Sequence, residues 1–240
     1  MYSIEINKLT KKFKEKVAVN EIDLQIKRGE LFALLGTNGA GKTTTIKMMS
    51  GLILPTSGNI KIENMDMKKD VIEIKKILNV SPQETAIAQN LTVKENLEFM
   101  AGVYQINDKD IKIKELIKQF KLGEVLNKEG KTLSGGWEGK ISIAISLIND
   151  PKILFLDEPT LGLDVISRKE LWKIISDLKG KITIVLTTHY MEEAQCLSDR
   201  VGIMADGNLV EIGTVEELIK KTKTKSFEDA FVSIATGGKL

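Results

Sequence analysis

The chain has 240 residues, 42% hydrophobic, 28% charged and 5% aromatic, with a formal net charge of +2. That balance suits one large α/β domain, and it supplies neither the basic excess of bulk nucleic-acid binding nor the aromatic content of a base-stacking surface. A single cysteine, Cys196, excludes an internal disulfide framework, no apolar run approaches the roughly 20 residues that cross a bilayer, and the first residues lack the basic and apolar regions of a signal peptide.

Residues 2–30 read as β structure, with Tyr2, Ile4 and Ile6 alternating with polar residues and Ile22, Leu24 and Ile26 doing so again. Phe13 falls between these runs in a basic, polar stretch predicted as a loop, either as a corner of a small β core or as a platform for a flat base; spacing alone favours the core. Leu31-Phe-Ala-Leu-Leu35 is all apolar and reads as a buried parallel strand. Gly36, Thr37, Asn38, Gly39, Ala40, Gly41, Lys42, Thr43 and Thr44 follow, and Ile46, Met48, Met49 and Leu52 then recur at helical spacing.

Strand, glycine-rich turn and helix are the context of a P-loop. Glycines let backbone N–H groups curl around a phosphate chain, and the helix N-terminus adds partial positive charge there. Lys42 is placed to reach the β- and γ-phosphates, and the Thr43 hydroxyl to ligate Mg²⁺. The stretch predicts a nucleoside-triphosphate site.

Residues 59–63 predict a short strand, 67–76 a charged helix, and Ile77-Leu-Asn-Val80 a strand running into Ser81-Pro-Gln83. Thr92-Val-Lys-Glu95 is a capping box opening a helix, and 108–120 carries a second helical pattern. Strand signals are missing from about 90 to 150, which predicts a helical subdomain inserted in the sheet. Leu133-Ser134-Gly135-Gly136 opens a further helix with Ile141, Ala144, Ile145 and Ile148 on its apolar face. Ile153–Leu156 and Ile182–Leu186 predict strands, with a helix over 165–178 between them, a helix through Ala194 after them, and strands near 201–204 and 208–212. Thr214-Val-Glu-Glu217 is another capping box. The Lys220–Lys225 run reads as a solvated linker rather than an anionic-lipid contact, before a short helix from Phe227 to Ile234.

Three strand ends carry chemistry. Asp157 closes an apolar strand, where its carboxylate would face the phosphates and hold Mg²⁺. Alternation along an extended chain would turn Glu158 the other way, toward an attacking water. A second acid there points to a hydrolase. His189, the lone histidine, also follows an apolar strand; it is either a hydrogen-bonded structural residue or, as its place at a carboxyl strand end favours, a donor to the γ-phosphate that positions water or Glu158. Gln83 can reach both Mg²⁺ and water, or is a plain turn residue.

Taken together, the chain resembles the nucleotide-binding subunit of an ATP-binding cassette (ABC) transporter, from its β subdomain to residue 213. Gly36–Thr44 resembles the Walker A motif, Gln83 the Q-loop, Leu133–Gly136 the family signature, Ile153–Glu158 Walker B, Leu163-Asp164 the D-loop and His189 the switch histidine. The resemblance implies a P-loop NTPase core with an N-terminal antiparallel β subdomain and a helical subdomain, spanning 1–220, with linker and helix over 221–240. It implies ATP and Mg²⁺ as cofactors, with Glu158, His189 and Gln83 catalytic and Thr43, Gln83 and Asp157 at the metal. It turns Phe13 toward stacking on adenine. Two such domains would pack head to tail, as a homodimer or with a second ATP-binding subunit, and Ser134, Gly135 and Gly136 of one would complete the γ-phosphate site of the other.

Thr188–Ala194, Asp199–Val201 and Ser226–Phe231 are similar to the ATPase subunits of ABC-2-like drug and antibiotic exporters. That implies a separate integral membrane permease and a peripheral place on the cytoplasmic face of the membrane. The sequence departs from the family at Thr37, where proline is usual, and at Trp137-Glu138-Gly139, where Gln or Met precedes basic residues. Glu138 puts a negative charge, and Gly139 a helix-weakening residue, near a helix N-terminus that should help bind a trans phosphate, so either that site is weakened or the sequence compensates elsewhere. The alternative reading is a soluble ABC ATPase acting on ribosomes or DNA, which the single compact cassette disfavours. A P-loop GTPase would need an Asn-Lys-x-Asp guanine reader, and Asn7-Lys8 and Asn127-Lys128 lack the Asp.

Overall fold

The computed structural model describes residues 1–84 and 86–238. Period-2 alternation builds the first sheet. Strands β1 (Tyr2–Phe13) and β2 (Lys16–Lys27) form an antiparallel hairpin, extended by β4 (Ser57–Ile62) and β5 (Met65–Asp66) in the order β2-β1-β4-β5. The second sheet runs β10 (Asn208–Gly213), β9 (Arg200–Ala205), β3 (Leu31–Gly36), β8 (Thr183–Thr188), β7 (Ile153–Asp157), β6 (Leu78–Ser81). All its pairings are parallel except that of β10 with β9.

Both faces of this second sheet are covered, which is why its central strands are buried throughout rather than on alternate residues. Leu154, Leu156, Ile184 and Leu186 face one core with α5 (Gly135–Ser146) and α6 (Val165–Leu178). Ile153, Phe155 and Val185 face the opposite core, shared with α1 (Lys42–Met49) and the first sheet. The helical subdomain consists of α3 (Val93–Val103), α4 (Lys109–Phe120) and the start of α5, with the full Thr92–Glu95 capping box in place.

Several expectations shift. Phe13 is the last residue of β1 rather than part of a loop; a left-handed Lys8 (φ 44°) introduces an irregularity between Ile6 and Leu9 that hides the continuing strand from a strict alternation. The charged helix, α2, spans only Val71–Ile77, because residues 66–70 fold into a turn with Asp66 N–H donating to Asp70 Oδ2 at 2.9 Å. In α5, burial covers every residue from Ile141 to Ser146 rather than one face, since the helix lies between the sheet and the helical subdomain.

The basic run from Lys220 is not all linker. Helix α8 (Val215–Thr222) continues through Lys221, Lys223 ends it in the left-handed conformation, and Ser226 caps α9 (Phe227–Ala235) by accepting from Asp229 N–H at 3.1 Å. Phe227 and Ala230 are buried with Ala33, Leu35 and Leu218, so α9 packs onto the main sheet together with α7 (Met191–Leu197). Residues 239 and 240 of the expected 221–240 segment lie outside the described residues.

Candidate active site

Adjacent parallel strands β3, β8, β7 and β6 deliver the P-loop, His189, Asp157-Glu158 and Gln83 to one edge of the sheet. Ligands bind at the carboxyl ends of strands in open α/β sheets because helix N-termini and strand-end loops converge there. A cavity of about 520 Å³ opens at this edge, lined by Phe13, Asn38, Gly39, Gly41, Lys42, Thr43, Thr44, Gln83, Glu158 and His189. Lys16, Ala18 and Leu161 line it too, and motif reading missed them.

The P-loop is built around Gly41. Its φ of 103° is left-handed, and a Cβ there would sit 2.5 Å from the Ala18 carbonyl oxygen, so only glycine fits. Helix α1 starts directly after it with no side-chain cap, leaving first-turn N–H groups free to bind an anion. The Lys42 ammonium is buried and held by the carbonyls of Gly36 (2.8 Å) and Thr37 (3.2 Å) and by Glu158 Oε1 (3.3 Å). Ala40 closes the turn, its N–H donating to the Thr37 carbonyl at 3.2 Å.

Alternation does not carry through Glu158, whose φ of 50° leaves the extended region; Glu158 lines the cavity. Its Oε2 lies 2.9 Å from His189 Nδ1. A carboxylate can only accept, so Nδ1 carries the hydrogen. Asp157 Oδ1 accepts from the Thr43 hydroxyl at 3.0 Å and the Thr187 hydroxyl at 2.5 Å. Thr187 Oγ1 in turn accepts from Glu158 N–H at 3.1 Å. Thr187 thus fixes both acids, and its only sequence signal is its place one turn of strand before His189.

Oxygen donors from Thr43 and Asp157 beside a phosphate cradle suit a hard divalent cation that keeps water and phosphate oxygens as further ligands. The donor set therefore fits Mg²⁺.

Ser134, Gly135 and Gly136 are not part of this cavity. They open α5, where Ser134 has extended backbone and no side-chain cap. Ser134 and Gly136 border a separate cavity of about 780 Å³ with Trp137, Lys140 and Ser167. A Cβ on Gly136 would lie 2.5 Å from Ser167 Oγ, so α6 demands this glycine. Glu138 accepts from Gln89 Nε2 at 3.3 Å, while Lys140 Nζ sits 4.5 Å from the Trp137 ring centre. Gly139 is less constrained, since a Cβ there meets Leu171 at an ordinary 3.4 Å.

The ABC transporter family pattern matches residues 19–161. The chain belongs to the ABC transporter family, as its ATPase cassette. The probable multidrug ABC transporter ATP-binding protein YbhF of Escherichia coli K12 is 38% identical over 239 residues, covering 96% of this chain and 41% of that protein. The phospholipid-transporting ATPase ABCA3 of Homo sapiens is 42% identical over 212 residues, covering 86% of this chain and 12% of its own length. The chain thus spans less than half of these relatives. Among solved structures, an ATP-binding subunit of an ABC transporter superposes with a TM-score of 0.86 at 26% identity, covering 96% of this chain and 98% of that one. The dimeric cassette MJ0796, bound to ADP and phosphate after hydrolysis, superposes at 0.79 with 25% identity over 88% of this chain and 98% of its own. This chain is accordingly an ABC ATPase domain.

Proposed function

We propose that this ABC cassette pairs with a second cassette and powers a separate integral membrane permease, as an exporter, from the cytoplasmic face of the membrane. The observation that carries the reading is the convergence of Lys42, Glu158, His189 and Gln83 on one cavity, with the signature Ser134–Gly136 amides outside it. A helix N-terminus open to an anion, on a surface away from its own P-loop, suits completion of a partner's phosphate site. No helix among the described residues is long and apolar enough to cross a membrane.

Within the site, the N–H groups of Gly36–Thr44 and the Lys42 ammonium hold the phosphates. Thr43 and Asp157, together with Gln83, would hold Mg²⁺, which would neutralise phosphate charge. Glu158 orients and deprotonates water. With Nδ1–H given to Glu158, His189 Nε2 donates to a phosphate oxygen only as imidazolium. As a neutral ring, His189 instead positions Glu158.

Phe13 is 49% exposed, lines the cavity and carries Lys11 Nζ at 5.0 Å from its ring centre. That exposure suits base stacking more than a core role. Phe13→Ala is expected to weaken ATP binding by roughly 1–3 kcal/mol with the fold retained, read by calorimetry and circular dichroism. Unfolding of the variant would restore the core reading. Stacking without base hydrogen bonds also implies weak discrimination between ATP and GTP.

The segment from Gln83 to Tyr104 is proposed as the permease dock. Ile87, Val93 and Leu97 are buried, but Phe99 and Val103 on α3 remain exposed. Purification of the tagged chain from detergent-solubilised native membranes is expected to bring down an integral membrane protein crosslinked within 83–104. Crosslinks confined to 206–240 would overturn the dock. Recovery with ribosomes or DNA alone would favour the soluble ABC ATPase.

A further inference from the structure

Glu193, on the first turn of α7, is fully buried, yet the catalytic reading gives it no task. Its Oε1 accepts from the Thr160 hydroxyl at 2.8 Å and from Trp172 Nε1 at 2.9 Å. Thr160 lies two residues beyond Glu158, in the segment leading to Leu163-Asp164, and Trp172 stands on α6. Thr188, the residue before His189, faces the same carboxyl, and its hydroxyl accepts from Tyr190 N–H at 2.9 Å. One carboxyl therefore sits between the segment leaving β7 after Glu158 and the segment leaving β8 into His189.

The cluster is costly for a mere structural tie. Among the described residues, Glu193 Oε2 and Arg168 Nε have no hydrogen-bond partner by distance and angle, although the Thr188 hydroxyl faces the Glu193 carboxyl. Leaving a buried polar atom unsatisfied carries a desolvation penalty that an apolar side chain of similar size would avoid. Burial pushes the Glu193 carboxyl up, against the hydroxyls of Thr188 and Thr160, the Trp172 indole and the Arg168 charge. Arg168 itself lies over the Trp172 and Tyr190 rings, each 5.6 Å from the ring centre, and the Tyr190 ring is 4.2 Å from that of His189.

We propose that Glu193 is a positioning residue that, through Thr160, sets the placement of Glu158 against His189. The proposal rests on the reading of Glu158 and His189 as the hydrolytic pair. Their 2.9 Å contact joins two strand-end loops, and the Thr160–Glu193 bond ties the Glu158 loop to the helix that follows His189. Displacements of about 1 Å at a reacting centre cost on the order of 100-fold in rate, so a tie at this place acts on turnover before it acts on nucleotide affinity.

The test uses Thr160→Val, which deletes only the hydroxyl, with Trp172→Phe as the control that breaks the other bond on the same oxygen. Glu193→Ala and the near-isosteric Glu193→Gln complete the set. Thr160→Val and Glu193→Ala are expected to lower kcat about 10–100-fold with ATP affinity unchanged by calorimetry, and Glu193→Gln, which keeps the acceptor, to restore kcat. Trp172→Phe is expected to lower Tm with little loss of kcat.

Because His189 is the lone histidine, its ring nitrogen resonances report the Glu158 contact without overlap. They are expected to move in Thr160→Val and to return in Glu193→Gln. Unmoved resonances with wild-type kcat in Thr160→Val would overturn the proposal, and so would a Trp172→Phe variant losing kcat as heavily. If Glu158→Gln, run beside these, keeps its turnover, the reading of the pair fails instead. The resonance shifts decide the inference in either case, and also where Glu193→Ala does not fold.

Discussion

Glu158→Gln is expected to bind ATP and fail to turn it over. The carboxylate lines the cavity, 3.3 Å from Lys42 Nζ and 2.9 Å from His189 Nδ1. Replacing it with an amide keeps an acceptor for the His189 N–H and removes the base. General-base help of this kind contributes about 10²–10⁴-fold, so kcat should fall by that factor. The loop amides and Lys42 remain to hold the phosphates without it. The variant should accumulate as an ATP-bound dimer, seen by light scattering at ATP concentrations where the wild type stays monomeric. Turnover near the wild-type value would remove Glu158 from its proposed role.

Much of this site is legible in the sequence because its parts are local. Leu31–Leu35 is apolar at every position, as a strand buried on both faces must be. Its glycine-rich continuation needs only neighbouring residues to define it. Asp157, His189 and Gln83 each end a recognisable strand, and the sheet order then brings those ends together. The Thr92 and Thr214 capping boxes also lie wholly within their own turns.

What the sequence hid is set by backbone exceptions and distant partners. Alternation failed at Glu158 because its φ of 50° leaves the extended region, and no residue type announces that. The P-loop glycines suggested amides bared for phosphate, yet Gly41 is also required by the Ala18 carbonyl on a strand far away in sequence. Gly136 is likewise required by Ser167 as well as by any phosphate. Nothing in the local sequence marks Glu193 as buried; the approach of Thr160 and Trp172 shows it. The Lys220–Lys225 run looked solvated, and its lysines are indeed on the outside; Leu218 beneath them carries the helix into the core.

Lys42→Ala should act one step earlier than Glu158→Gln, by losing ATP rather than by failing to split it. The ammonium contacts phosphate in the ground state and the transition state alike. Hydrogen bonds to charged groups contribute about 1.5–3 kcal/mol, and each 1.4 kcal/mol is about tenfold in affinity, so the Kd for ATP should rise at least about tenfold. A second effect adds to the first. Glu158 is nearly buried beside Lys42, and without that cation its carboxylate faces the incoming phosphates uncompensated. The double variant Lys42→Ala with Glu158→Gln removes this repulsion and should therefore bind ATP more tightly than Lys42→Ala alone. Calorimetry on the wild type, the single variants and the double variant closes the cycle. Additive free energies would show that Lys42 and Glu158 do not share a charge balance at the phosphate, and an unchanged Kd in Lys42→Ala would take Lys42 out of the cradle.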